Sequence, residues 1–144
     1  KYTALILRLA FNPRLVHNHP SSQATSLRLR QAYTKMTVWL RWIKVGQFVD
    51  RLVEAYEPDK VILFGSHAYG EPNEWSDVDL LIVMDTPIRP AVKAAEILSA
   101  LRPDFPIDLI VRTPETIAQR LAWNDYFLLD IFEKGKVLYE SAHA

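Results

Sequence analysis

The chain has 144 residues, no formal net charge, 49% hydrophobic residues and no cysteine. That length suits one domain with a real core, and the composition excludes disorder of the whole chain. Without cysteine there are no disulfides and no thiolate metal sites, which fits a reducing, cytoplasmic setting. No apolar run approaches the roughly 20 residues that cross a bilayer, so no membrane association is expected.

The charge balance hides an asymmetry. Asp50 is the first acidic residue. Residues 1–49 carry Lys1, Arg8, Arg14, Arg28, Arg30, Lys35, Arg41 and Lys44, a net +8, and the remaining residues a net −8. Such a shift suggests a different role or origin for the N-terminal third. Asn12-Pro13 and His19-Pro20-Ser21-Ser22 are breakers there. Arg14 and His19 have an Arg-x4-His spacing but read as ordinary solvated residues. Met36 is the first methionine. The expected division is therefore 1–36, a basic extension that is unordered or precedes the native start, and 37–144, a single domain.

From Val45 onward the pattern is clear. Val45, Phe48, Val49, Leu52, Val53 and Tyr56 recur at helical spacing, predicting an amphipathic helix from about Val38 to Tyr56. Lys60–Phe64 is a β-branched-rich strand, apolar enough to be central in a sheet. Gly65-Ser66 leaves it, with Ser66 as the expected N-cap of a short helix through Tyr69. A second strand runs from Val78 to Met84. Pro90 suits the first position of a helix over Ala91–Leu101. Ile107–Val111 is a third strand, and its Asp108 lies between apolar residues, a costly place for a lone carboxylate. Thr113-Pro114 should cap and open a helix to about Ala122. A last helix is expected over Asn124–Lys134, with Phe127, Leu128, Ile131 and Phe132 inward and Gly135 at C′. Val137–Tyr139 reads as a small terminal strand. Strands interleaved with helices imply an α+β (α/β-like) fold, a small mixed β-sheet flanked by helices.

The chemistry concentrates in Gly65-Ser66 and, ten residues later, Asp77-Val78-Asp79. Asp77 and Asp79 are two apart, so they point to one face. Like charges that close call for a cation between them. Asp108 completes the cluster if its strand is a neighbour. Three carboxylates on one face can hold two divalent cations, and hard Mg²⁺ prefers such oxygen ligands. Gly65 lets a backbone approach phosphates, and the Ser66 hydroxyl and following amides can donate to them. Taken singly, Asp-x-Asp is usually a solvated turn and Gly-Ser after a strand is commoner still. The ordered set of strand, Gly-Ser, ten residues, Asp-x-Asp, strand, and a later strand carrying Asp is hard to reach by chance.

That set resembles the DNA polymerase β-like nucleotidyltransferase superfamily, and within it the minimal nucleotidyltransferases (MNT proteins) of prokaryotes. The resemblance covers about residues 45–140. It implies a nucleotidyltransferase fold, two Mg²⁺ ions and an NTP, normally ATP. By position, Asp77 and Asp79 would bind both metals, and Asp108 would bind the catalytic one and help deprotonate the acceptor hydroxyl. Gly65 and Ser66 would hold the β- and γ-phosphates. Many relatives carry arginine near positions 67 or 69, where this chain has His67, read as solvated, and Tyr69. Tyr69 and Trp75 either stack on a base, cover the sheet edge or face a partner.

The resemblance also suggests an acceptor. Larger members bring an extra domain for theirs, whereas short ones often pair with a HEPN-domain protein. The short member is then the antitoxin, moving AMP from ATP to a tyrosine of the ribonuclease toxin. That is the expectation here. A small-molecule or nucleic-acid hydroxyl, or non-catalytic masking of a toxin, are the alternatives.

Overall fold

The computed structural model describes residues 22–73 and 75–142. The breakers up to Ser21, and Arg14 and His19, lie outside the described residues. Within them the order is α1 (Ser22–Tyr56), β1 (Lys60–Phe64), α2 (Ser66–Tyr69), β2 (Val78–Val83), α3 (Pro90–Leu101), β3 (Ile107–Arg112), α4 (Pro114–Ala122), α5 (Tyr126–Lys134) and β4 (Lys136–Glu140). No described helix is long and apolar enough to cross a membrane.

Helix α1 starts well before the expected Val38. Only its C-terminal part packs on the sheet, through Val45, Phe48, Val49 and Leu52. Leu27, Leu29, Tyr33 and Met36 on its earlier turns are exposed. Glu57, at φ 45°, ends the helix with its amide donating to the Val53 carbonyl at 3.0 Å. The buried Pro58 then prevents continuation.

The four strands lie in the order β3-β2-β1-β4. β1 pairs antiparallel with β2 and β4, and β2 pairs parallel with β3, so the sheet is mixed. The parallel pair requires a crossover, which α3 provides. β1 and β2 are central and covered on both sides, which is why they read as near-continuous apolar runs. Val61, Leu63, Val78, Leu80 and Ile82 face α1 and α3. Ile62, Phe64, Leu81 and Val83 face Ile117 of α4 and Leu128 and Ile131 of α5. Each such side chain contributes about 1.5–3 kcal/mol by leaving water.

Several local expectations hold. The Thr113 hydroxyl accepts from the Thr116 amide at 3.2 Å, and Pro114 opens α4. Pro90 opens α3. Others are corrected. Asp125 caps α5, its Oδ1 accepting from the Phe127 and Leu128 amides, so that helix starts after Asn124. Leu128 and Ile131 are buried but Phe127 and Phe132 are exposed, because the sheet accommodates only one stripe of the helix. Gly135 is extended rather than left-handed, with φ −65°. Its hydrogen side chain matters for space: a β-carbon there would sit 2.7 Å from Ile62 Cγ2.

Candidate active site

The end of β1 and the starts of β2 and β3 come together at one end of the sheet. Register pairs Phe64 with Asp79, and Asp79 with Asp108. The Val78 amide donates to the Pro106 carbonyl at 3.0 Å and holds the two strand starts side by side. Because alternate residues share a face, Asp79 and Asp108 stand next to each other on the side of Leu81 and Ile110. Asp77 sits just ahead of β2. The condition set for Asp108, that its strand neighbour Asp79, is met.

Asp79 is half-buried while Asp77 and Asp108 are exposed. Exposure relieves the cost expected for Asp108, since it stands near the start of an edge strand with its side chain in water. Burial, then the charges of Asp108 and Asp77, push the Asp79 carboxyl above its usual range. None of the three forms an ion pair with a described residue. Among the described residues no three carboxylate or histidine side chains are drawn into a formed metal cage. The oxygen-only donors and their uncompensated charge nevertheless fit a hard divalent cation.

Gly65 adjoins this cluster. Its φ of 69° is left-handed, and a β-carbon there would lie 3.0 Å from Asp79 Cγ and closer still to Oδ2. Gly65, not Ser66, is the N-cap of α2, and Ser66 is its first residue. The Gly65 carbonyl accepts from the Ala68 and Tyr69 amides at 3.0 and 3.2 Å. The amides of Ser66 and His67, the first of the turn, have no earlier helical carbonyl to meet.

His67 is buried, at 5% exposure, contrary to its expected solvation. Its Nε2 lies 3.2 Å from the Ser76 carbonyl. Burial, the largest cause, lowers its pKa, so the neutral ring donates from Nε2. Arg41 Nη1 of α1 donates to the same carbonyl. Neither contact has a sequence signal: Arg41 is distant along the chain, and nothing in the short helix that carries His67 says that Ser76 will return to it.

The profile of one protein family, described as the nucleotidyltransferase domain, matches residues 45–138, which span every element from the packed part of α1 to β4. The chain belongs to this family. It is a nucleotidyltransferase.

A relative of this nucleotidyltransferase in Methanocaldococcus jannaschii, named "Putative protein adenylyltransferase MJ0604", is 34% identical over 97 residues. The alignment covers 66% of this chain and 94% of the relative. In fold, the nucleotidyltransferase resembles a crystal structure titled "putative nucleotidyltransferase" from Sulfolobus solfataricus, with a TM-score of 0.53 at 16% identity. That likeness covers 73% of this chain and 85% of the other. A toxin–antitoxin crystal structure with AMP-PNP gives a TM-score of 0.45 at 19% identity, covering 68% of this chain and 75% of the other.

The rim of the candidate site is aromatic. The Tyr69 hydroxyl donates to Asp130 Oδ2 at 3.2 Å, and Lys134 Nζ lies 5.9 Å from the Tyr69 ring centroid. Phe127 packs edge-on against Phe64 at 5.8 Å between centroids. Trp75 in the loop before Asp77 is 82% exposed. Tyr69 and Trp75 thus both reach solvent.

Proposed function

We propose that this nucleotidyltransferase moves AMP from ATP to a hydroxyl of a partner protein. The observation that carries the reading is the contact of Asp79 with Gly65 on one side and its registry with Asp108 on the other. It sets a carboxylate cluster directly against a backbone turn that only glycine leaves open.

In this reading Asp77 and Asp79 would hold both of two Mg²⁺ ions, and Asp108 one of them. When bound, such ions lower the pKa of an attacking hydroxyl and neutralise a leaving pyrophosphate. Gly65 admits the β- and γ-phosphates close to the chain. The Ser66 hydroxyl and the first amides of α2 donate to their oxygens. Asp108 takes the acceptor's proton as the acceptor oxygen bonds to the α-phosphorus. The bond from that phosphorus to the β-phosphate oxygen breaks, and pyrophosphate leaves.

A protein acceptor is supported by the name of the M. jannaschii relative. A tyrosine of a HEPN-domain ribonuclease toxin, with this chain as its antitoxin, is the acceptor that the resemblance to minimal nucleotidyltransferases supports. Incubation with α-labelled ATP, Mg²⁺ and the product of the adjacent gene tests it. Label should appear on a tyrosine of that protein and vanish with Asp77→Ala/Asp79→Ala. Label on RNA or on a small molecule instead would reject the protein acceptor. Full neutralisation of the toxin by the double variant would reject catalysis as the means of protection.

A further inference from the structure

The peptide between Ser76 and Asp77 is held by two donors from two different helices. His67 on α2 and Arg41 on α1 both donate to the Ser76 carbonyl, one at 3.2 Å. A carbonyl oxygen has two lone pairs, so this acceptor is saturated. The described residues of its segment otherwise bond locally. The described residues 70–73 and 75–77 include Gly70 and Pro72 and form no strand or helix. Their own bonds are local: the Asn73 amide to Ser76 Oγ at 3.0 Å, the Trp75 amide to Asn73 Oδ1 at 2.8 Å, and the Ser76 amide to the Asn73 carbonyl at 3.2 Å. Those bonds, among the described residues, lie within the loop itself.

We propose that His67 and Arg41 are positioning residues that fix the direction of the Asp77 carboxylate through the Ser76 carbonyl. The inference rests on the reading of Asp77 as a metal-facing residue. Asp77 lies one residue before β2, so no ladder bond of its own orients it. With the Ser76 carbonyl pinned, the peptide plane that carries the Asp77 amide is pinned too, and with it the exit of the Asp77 side chain. Asp79 needs no such device, because register and the Gly65 contact already fix it.

Helix α1 docks through four buried apolar side chains that all lie beyond Arg41. α2 is held by its own turn and by the burial of Ala68. A histidine at 5% exposure is an expensive choice for filling space, unless its ring nitrogen has a task.

Groups that orient metal-binding residues typically cost 10–100-fold in metal affinity when removed. The test is Mn²⁺ binding followed by electron paramagnetic resonance, in the presence of a non-hydrolysable ATP analogue. Arg41→Ala and His67→Phe should each weaken Mn²⁺ binding by roughly tenfold or more. His67→Gln, which can present an N–H at a similar reach, should recover most of that loss. The melting temperature of Arg41→Ala should stay at the wild-type value, and this half-exposed site keeps the test decisive should His67→Phe not fold. Wild-type Mn²⁺ binding by Arg41→Ala, while Asp77→Asn has lost it, would overturn the positioning role alone. Wild-type Mn²⁺ binding by Asp77→Asn would overturn the reading beneath it as well.

Discussion

Gly65 and Asp79 share a space that admits no β-carbon. One placed on Gly65 would lie 3.0 Å from Asp79 Cγ and overlap Oδ2, and φ at Gly65 is 69°. Gly65→Ala therefore carries two penalties. The backbone at φ 69° and ψ −154° lies in a region essentially reserved for glycine and costs about 1–3 kcal/mol in any residue with a side chain. The Asp79 carboxylate must also move, and displacement of a reacting group by 1 Å can cost about 100-fold in rate. The variant should fold with a modestly lower melting temperature and lose activity far beyond that. A rate within twofold or so of wild type would show that the contact does not position anything.

Asp79 links function to stability with a definite sign. Its carboxyl is raised above the ordinary 3.8 by burial and by the charges of Asp108 and Asp77. Between 3.8 and that higher folded value the folded state holds more protons than the unfolded chain. Stability conferred by the neutral carboxyl is thus present at low pH and is lost as pH rises through the window. Asp79→Asn should therefore raise the urea midpoint at about pH 7, and its advantage should shrink as pH falls below the window. The same substitution should abolish transfer. Equal midpoints at both pH values would contradict the electrostatic account.

Divalent cation with ATP should stabilise the wild type, since a ligand that binds only the folded state contributes RT ln(1 + [L]/Kd), about 2.7 kcal/mol at 100-fold excess over Kd. Melting curves with Mg²⁺ and a non-hydrolysable ATP analogue check this. The upward shift should disappear with chelator, and with Asp77→Asn or Asp108→Asn.

Among the described residues the fully buried side chains of α1 begin at Val45. A chain shortened to residues 37–144 should therefore unfold cooperatively, with a midpoint close to that of the full chain, as a domain that starts near Met36 requires. Loss of cooperative unfolding or of activity would assign residues 1–36 a structural part.

Thr113→Ala should cost about 1 kcal/mol, since the hydroxyl satisfies the Thr116 amide at the start of α4. This cap was legible in the sequence because Thr-Pro states its own local chemistry. β1 was legible for a similar reason, being apolar from Val61 to Phe64 because both of its faces are covered. What one stretch cannot reveal is its neighbour. Nothing in Ile107–Val111 says that it lies parallel to β2 with Asp108 opposite Asp79. That follows from the α3 crossover and the packing of the whole sheet. The early turns of α1 were missed because they bury no stripe, so helical spacing had nothing to mark. Phe127 and Phe132 were misplaced for the converse reason: helical spacing marked them, yet the sheet had no room. The burial of His67 arises only when the loop ahead of Asp77 folds back over α2.

The central claim is that the cluster of Gly65, Asp77, Asp79 and Asp108 transfers a nucleotidyl group. It is tested most directly with two ATP samples, one labelled at the α-phosphate and one at the γ-phosphate, supplied with Mg²⁺ and the protein acceptor. The account predicts that α-label moves to the acceptor while γ-label leaves as pyrophosphate, and that Asp77→Asn and Asp79→Asn stop both. Transfer of γ-label to the acceptor, or undiminished transfer of α-label by these variants, would contradict it.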